Sequence, residues 1–303
     1  MSAAKLLIAC IAVALAVAAR PIGATAETAE EFKAKLSFQH GDVALQNGLA
    51  ELKLGDAFGY LDAAQARRVL VSAWGNPSES ADGVLGMIFP SNSSPLDANS
   101  WGVVITYEED GYVSDEGAES IDYGKMLQEM KEDAASTNAQ RRADGFPEAE
   151  IIGWAEPPHY DRANHKLYWA KELKFADSDE NTLNYNIRVL GRRGVLVLTA
   201  VGGMTQLPSI HSAMEQVLAA VEFKEGHRYA DYIPGKDRAA EYGLAALVAG
   251  GIAAKAGLFK WVLGLVIALK KFIIVAVVAV VGFLRNLFRG KPAETTGPPL
   301  ARQ

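Results

Sequence analysis

Cysteine is almost missing from this chain. The one cysteine, Cys10, lies in an amino-terminal stretch that reads as an export signal, so no thiol is expected in the mature protein. Disulfides, a cysteine nucleophile and cysteine metal sites are thereby excluded. Glycine-rich nucleotide signatures are lacking too. The pair Gly202 and Gly203 falls between a predicted strand and helix, but Gly-x-Gly-x-x-Gly, the P-loop and the Gly-x-Ser-x-Gly elbow do not occur. Positive charge is scarce over most of the length. Residues 27–242 carry 20 Lys and Arg against 35 Asp and Glu, a net of −15, whereas 243–303 carry 8 against 1, a net of +7. Phosphates are repelled by so acidic a domain, which argues against nucleic acid and against an anionic membrane surface as its ligand.

One long apolar stretch dominates what is present. It runs from Tyr242 to Leu284 and is closed by Arg285, Arg289 and Lys291. About 20 apolar residues cross a bilayer core of roughly 30 Å, and Trp261 to Leu284 is that long, which predicts a C-terminal transmembrane helix. Lys255, Lys260, Lys270 and Lys271 interrupt it, with no acidic residue between Tyr242 and Gly290 to pair with them. Their flexible stems are expected to snorkel to lipid phosphate. Two alternatives stand beside this: Lys260 and Lys271 on one helical face could line an oligomer interior or a wet cleft, or the chain could turn back as a hairpin at Lys270, where no Gly, Pro or Asn assists a turn.

The amino terminus has Lys5, an apolar run from Leu6 to Ala19 and the small-residue site Ala24, Thr25, Ala26, a secretory signal with cleavage expected before Glu27. Leu7 to Cys10 also matches a lipobox, behind an apolar run too short for an ordinary export signal. The charge split puts the basic tail in the cytoplasm and the acidic part outside. The expected organisation is a signal peptide over 1–26, an extracytoplasmic domain over 27–240, a membrane anchor over 241–289 and a disordered cytoplasmic tail over 290–303. That corresponds to an inner-membrane protein with a periplasmic domain.

Within the exported part, Val43 and Leu45, then Asn47 and Gly48, then Leu49 and Leu52 predict a hairpin with a type I′ turn. Asp62 is placed to cap a helix over 63–73, and Asp122 one over 123–143. Strands are expected at 84–89, 101–107, 151–155, 167–175, 182–190 and 195–201, then a helix over 207–220 and a short strand at 221–223. Strands in succession with few helices between them define an α+β class, a largely antiparallel sheet with packed helices. Asn184, Asn186 and Arg188 alternate with Leu183, Ile187 and Val189, which predicts one wet and one buried sheet face.

The densest polar and aromatic cluster is 153–172. Trp154, Glu156, His159, Tyr160, Asp161, His165 and Trp169 are its candidate binding residues, and none is assigned a catalytic role. His159 and His165 could act with Glu156 or Asp161 as acid and base, the basis of an alternative reading as a membrane-tethered hydrolase. Their spacing of six is not that of a zinc site, and the acidic loops around Asp110, Asp115 and Asp177 lack calcium-ligand spacing, so neither metal nor cofactor is expected. The plainer reading is a loop stiffened by Pro157 and Pro158, with Trp154, Tyr160 and Trp169 covering a sheet edge.

Several segments together match a known pattern in order: Trp74 to Pro77; Asp110 to Val113; Gly153, Trp154, Pro157, Pro158, Tyr160 and Asp161; His165 to Ala170; Leu183 to Asn186 with Arg188; Leu190 to Arg192 with Gly194 and Val195; Tyr229 to Asp231; and Tyr242 with Gly243. Spread over Gly41 to Arg289, they resemble a family of uncharacterised bacterial membrane-anchored proteins, the domain of unknown function 2167. The resemblance implies an envelope protein with an exported domain and a C-terminal anchor, and transfers no activity. The expected partners are membrane lipid, through the anchor, and an envelope protein, with a non-enzymatic binding module as the leading reading.

Overall fold

The computed structural model describes residues 27–249, apart from 77, 98, 144 and 145. The expected signal segment, the transmembrane helix and the tail lie outside the described residues. Among those described, no helix is long and apolar enough to cross a membrane. The chain divides into two units, 1–35 and 36–303. In the first, helix α1 (Ala29–Ala34) starts at a capping box: the Thr28 hydroxyl accepts from the Glu31 amide, and the Glu31 carboxylate accepts from the Thr28 amide.

The second unit begins with the expected hairpin, β1 (Asp42–Leu45) and β2 (Ala50–Lys53). Its turn is longer than a two-residue type I′, because Leu45 pairs with Ala50 and Gln46, Asn47 and Gly48 all take positive φ, at 40°, 55° and 89°. Strand β3 (Phe58–Asp62) leads into α2 (Ala63–Arg68), where the Asp62 carboxylate accepts from the Gln65 amide at 2.9 Å as the capping pattern predicts. Strands β4 (Val84–Pro90) and β5 (Val103–Glu108) follow, then α3 (Tyr123–Ala143), whose first turn is closed by Asp122 accepting from the Lys125 amide at 2.9 Å.

Four long strands come next: β6 (Ala149–Asp161), β7 (Lys166–Phe175), β8 (Thr182–Leu190) and β9 (Val195–Gly203). They join the earlier strands in one antiparallel seven-stranded sheet, ordered β3-β4-β5-β9-β8-β7-β6. Helix α4 (Leu207–Ala220) and β10 (Val221–Phe223) return the chain to β2, making a separate three-stranded sheet, β1-β2-β10. A last helix, α5, spans Leu244–Ala249. The α+β class is therefore as expected, with two sheets rather than one.

Strand β6 departs most from expectation, since Pro157 and Pro158 lie within it rather than in a loop. Proline cannot donate to a ladder, and an edge strand has one side on which no donor is required. β6 is such an edge, and its pairing with β7 shifts register between Trp154 and Glu156 and again between Glu156 and His159, where the prolines sit. The same irregularity blunts the edge against pairing with another chain.

Both faces of the large sheet are covered. On one, Ile105, Tyr185, Ile187, Leu196 and Leu198 pack with β1, β2 and the α4 residues Ile210, Ala213, Met214 and Val217. Those four recur at helical spacing, so one stripe of α4 is buried. On the other face, Leu167, Trp169, Leu190, Val195 and Val197 pack under Val113, Ala118, Tyr229, Leu244, Leu247 and Val248. The beginning of the apolar stretch thus contributes to the core of the folded domain: Leu244, Leu247 and Val248 are each at most 3% exposed, and the Tyr242 hydroxyl donates to Asp110 at 2.8 Å.

Candidate functional site

The β6–β7 connection builds the first part of the site. Asp161 pairs with Lys166 across the hairpin, and its carboxylate accepts from the Ala163 amide at 2.9 Å, the Asn164 amide at 3.2 Å and the Asn164 side chain at 2.6 Å. The Asn164 side chain first, then the two amides, hold this carboxyl below its usual range. Asp161 is thereby committed to shaping its own turn. The turn ends at His165 in the left-handed region, φ 51°, uncommon outside glycine although histidine is among the residues that tolerate it.

That conformation lays the imidazole of His165 on Tyr229, ring centroids 4.1 Å apart, with Nδ1 3.2 Å from the Tyr160 hydroxyl. Tyr160 donates to Asp115 Oδ2 at 2.8 Å, which also accepts from Arg162 at 3.3 Å. A phenol has one proton to give. With that proton on Asp115, the Tyr160 oxygen accepts from His165 Nδ1–H, which leaves Nε2 as the bare lone pair. Burial holds His165 below its ordinary pKa, against the upward pull of Asp115, so the imidazole is neutral near pH 7. Burial chiefly, and the bond to Asp115 next, push the Tyr160 phenol up.

Tyr229 extends this network. Its hydroxyl accepts from the Asp115 amide and donates to the Val113 carbonyl, both at 3.1 Å. Tyr112 stacks on Tyr229 at 4.5 Å and on Tyr232 at 3.9 Å. His165, Tyr229, Tyr112 and Tyr232 therefore form one continuous ladder of rings. Two backbone devices position it. Gly111, φ 106°, lets the chain run against 238–240, where Tyr112 exchanges bonds of 2.9 and 2.8 Å with Arg238 and Ala240; a Cβ at Gly111 would strike that backbone. Arg192 grips Asp237 through two bonds of 2.7 and 3.0 Å, tying down the segment that carries Tyr229 and Tyr232.

The other predicted residues stand elsewhere. Glu156 is opposite Ala170 and His159 opposite Tyr168, on the α4 face of the sheet. There the Glu156 carboxylate meets His211 Nδ1 at 2.9 Å, and His159 lies against the Tyr168 ring at 5.1 Å. Trp154 and Tyr160 are opposite Lys171 and Leu167, on the far face. Trp154 Nε1 donates to the Tyr123 carbonyl at 3.2 Å, while Trp169 is 1% exposed beneath the Arg188 guanidinium, 5.0 Å from its ring. Tyr160 and His165 are thus brought together, and Glu156 and His159 are set apart from them by the thickness of the sheet. Among the described residues no group of three or more His, Cys, Asp or Glu is placed to hold a metal ion.

Sequence reasoning missed Asp115, Tyr229, Tyr232 and His211 as site residues. Asp115 reads in sequence as one more solvated acid after the Asp110–Gly111 turn, and its role depends on a partner 45 residues away. Tyr112 and Tyr229 do fall within the matched segments named above, which marks the residues but not their contact.

These features define an α+β domain with two antiparallel sheets and an aromatic and acidic surface site at one end of the larger one. By sequence the chain belongs to the family described as protein of unknown function (DUF2167), whose model matches residues 37–281. No curated protein matches it. Among solved structures it is similar to cyanobacterial PsbP (CyanoP) from Synechocystis sp. PCC 6803, at 11% identity and TM-score 0.35 over 68% of this chain and 100% of that one. It is also similar to the Saccharomyces cerevisiae Ran-binding protein Mog1p, at 10% identity and TM-score 0.34 over 62% and 96% of the two chains.

Proposed function

We propose that this chain is a membrane-anchored envelope protein whose exported domain is a binding module for a protein partner. The observation that carries the reading is the ring ladder of His165, Tyr229, Tyr112 and Tyr232. Rings fixed by stacking, with Tyr229 bonded to the Asp115 amide and His165 to Tyr160, lose little freedom on contact, and rigid aromatics are the side chains that give most binding energy for that reason. Beside the ladder stand the exposed Glu116 and Glu119, on a domain of net charge −15 over 27–242, so the partner surface is basic. The hydrolase alternative draws on His159 and His165 acting with Glu156 or Asp161; His159 and Glu156 stand on the α4 face, while His165 lies across the sheet from them and Asp161 is engaged in its own turn, which favours the binding reading.

Crosslinking and capture of the intact protein from membranes tests this. Wild type is expected to retain a specific partner that Tyr232→Ala and Tyr112→Ala lose, by about tenfold or more for an aromatic contact of this kind. Equal capture by folded variants would remove the ladder from the interface.

The orientation is tested separately. A reporter active only outside the cytoplasm should work when fused after Glu241 and fail when fused after Lys291. Activity at both positions would overturn the single span and favour the hairpin.

A further inference from the structure

The sheet face that the alternation of Asn184, Asn186 and Arg188 predicted to be wet is buried: Asn184 is 2% and Asn186 5% exposed. Its polar groups are joined in one direction. Thr199 donates to Asn186 Oδ1 at 3.4 Å, and Asn186 Nδ2 donates to Asn184 Oδ1 at 2.8 Å. The amide orientation of Asn184 is set by that bond, so its Nδ2 lies on the side away from Asn186, where it finds no acceptor among the described residues. Lys171 is the residue directly across from Asn184 on β7. Next to it on the same face, the Trp169 indole N–H is also buried and, among the described residues, without an acceptor, and Arg188 lies over the Trp169 ring.

The groups that meet here are donors and cations. A buried N–H without an acceptor costs about 1–3 kcal/mol, and two such groups beside two cations are a standing demand for an acceptor. Glu108 lies on the Arg188 side and offsets that charge in part, whereas no carboxylate among the described residues offsets Lys171. Burial first, and the neighbouring Arg188 second, lower the Lys171 ammonium to about 8.

We propose that Lys171, Asn184, Trp169 and Arg188 form a binding site for an oxyanion, the carboxylate or phosphate group of a small molecule. The ammonium and the guanidinium supply charge, and the Asn184 and Trp169 N–H groups supply directed bonds to oxygen. The hydrogen-bond chain from Thr199 through Asn186 holds Asn184 in the donating orientation, which makes Asn186 a positioning residue. The site is separate from the ring ladder and does not rest on the partner proposed for it.

The full-length protein in detergent, labelled at its indole nitrogens, gives a direct test. Inorganic phosphate and acetate are titrated in turn against chloride at matched ionic strength, and the Trp169 N–H resonance, assigned with Trp169→Phe, is followed. A saturable shift with phosphate alone identifies a phosphoryl ligand, with acetate alone a carboxylate, and with both an unselective oxyanion site. Lys171→Met is expected to weaken the apparent Kd by about tenfold or more. Asn184→Asp, which replaces the terminal donor with an internal counterion for Lys171, is expected to abolish the shift while the other indole resonances keep their native positions. A Trp169 resonance that neither anion moves beyond the chloride control, or that moves equally in folded Lys171→Met, overturns the proposal.

Discussion

Trp169→Ala is expected to lower the unfolding free energy by about 3–5 kcal/mol, the range for removing a large aromatic from a packed interior. The side chain is 1% exposed and belongs to the cluster that also contains Leu167, Leu190, Val197 and Tyr229. Its N–H has no acceptor among the described residues, so the loss is one of packing and of the Arg188 stack rather than of a hydrogen bond. Trp169→Phe should therefore recover part of the difference, since phenylalanine refills some but not all of the space the indole leaves. His159, exposed on the opposite face, should tolerate alanine with little change. Urea denaturation of the three variants decides it. A Trp169→Ala cost below about 1 kcal/mol would mean that this face collapses around the gap and that the domain does not depend on it.

The ladder of elements around Trp169 shows how unevenly sequence speaks. Asp62, Asp122 and the apolar stripe of α4 act through neighbours three or four residues away, so local spacing was enough to read the two caps and the 207–220 helix. The strands 182–190 and 195–201 were legible for a similar reason, a short turn between two alternating runs. β6 was not. Two prolines signal a loop unless the strand is already known to be an edge, and edge position is a property of the whole sheet. The polar face of β8 failed in the same way: alternation shows that two faces differ, and only the folded layers show that both are covered.

The candidate site divides along that line. Trp154, Tyr160, His165 and Trp169 were found because they cluster in sequence, and they do share one side of the molecule. Glu156 and His159 were drawn in by the same clustering, although neighbouring positions on a strand point to opposite faces. Asp115 and Tyr229 complete the network from 45 and 64 or more residues away, a distance over which a single sequence carries no pairing information.

Raising the pH should unfold this domain abruptly above about pH 10. Burial is the leading cause that pushes up the phenols of Tyr60, Tyr107, Tyr160, Tyr185, Tyr229 and Tyr242, to about 12 for Tyr60 and Tyr107. A folded-state pKa above the unfolded value of about 10 means that the native state keeps protons the unfolded chain has released. Stability from these groups is full below about pH 10 and falls as the pH climbs towards the raised native values. Counting the three least exposed, Tyr60, Tyr185 and Tyr229 at 5%, 2% and 8%, and about 1.4 kcal/mol per group per pH unit, the slope is about 4 kcal/mol per pH unit. Lys171, lowered to about 8, acts oppositely: its native state has lost a proton that the unfolded chain holds up to about 10.4, so its contribution rises from about pH 8 to 10 and then stops. A domain of ordinary stability, about 5–15 kcal/mol, would then unfold between one and a few pH units above 10. The phenolate absorbance of these six groups and the far-ultraviolet circular dichroism, recorded on the same samples, should change together in one cooperative step. With ten tyrosines in the chain and six of them named here, more than four phenolates appearing near pH 10 while the native spectrum is kept would show that some of these hydroxyls are open to solvent.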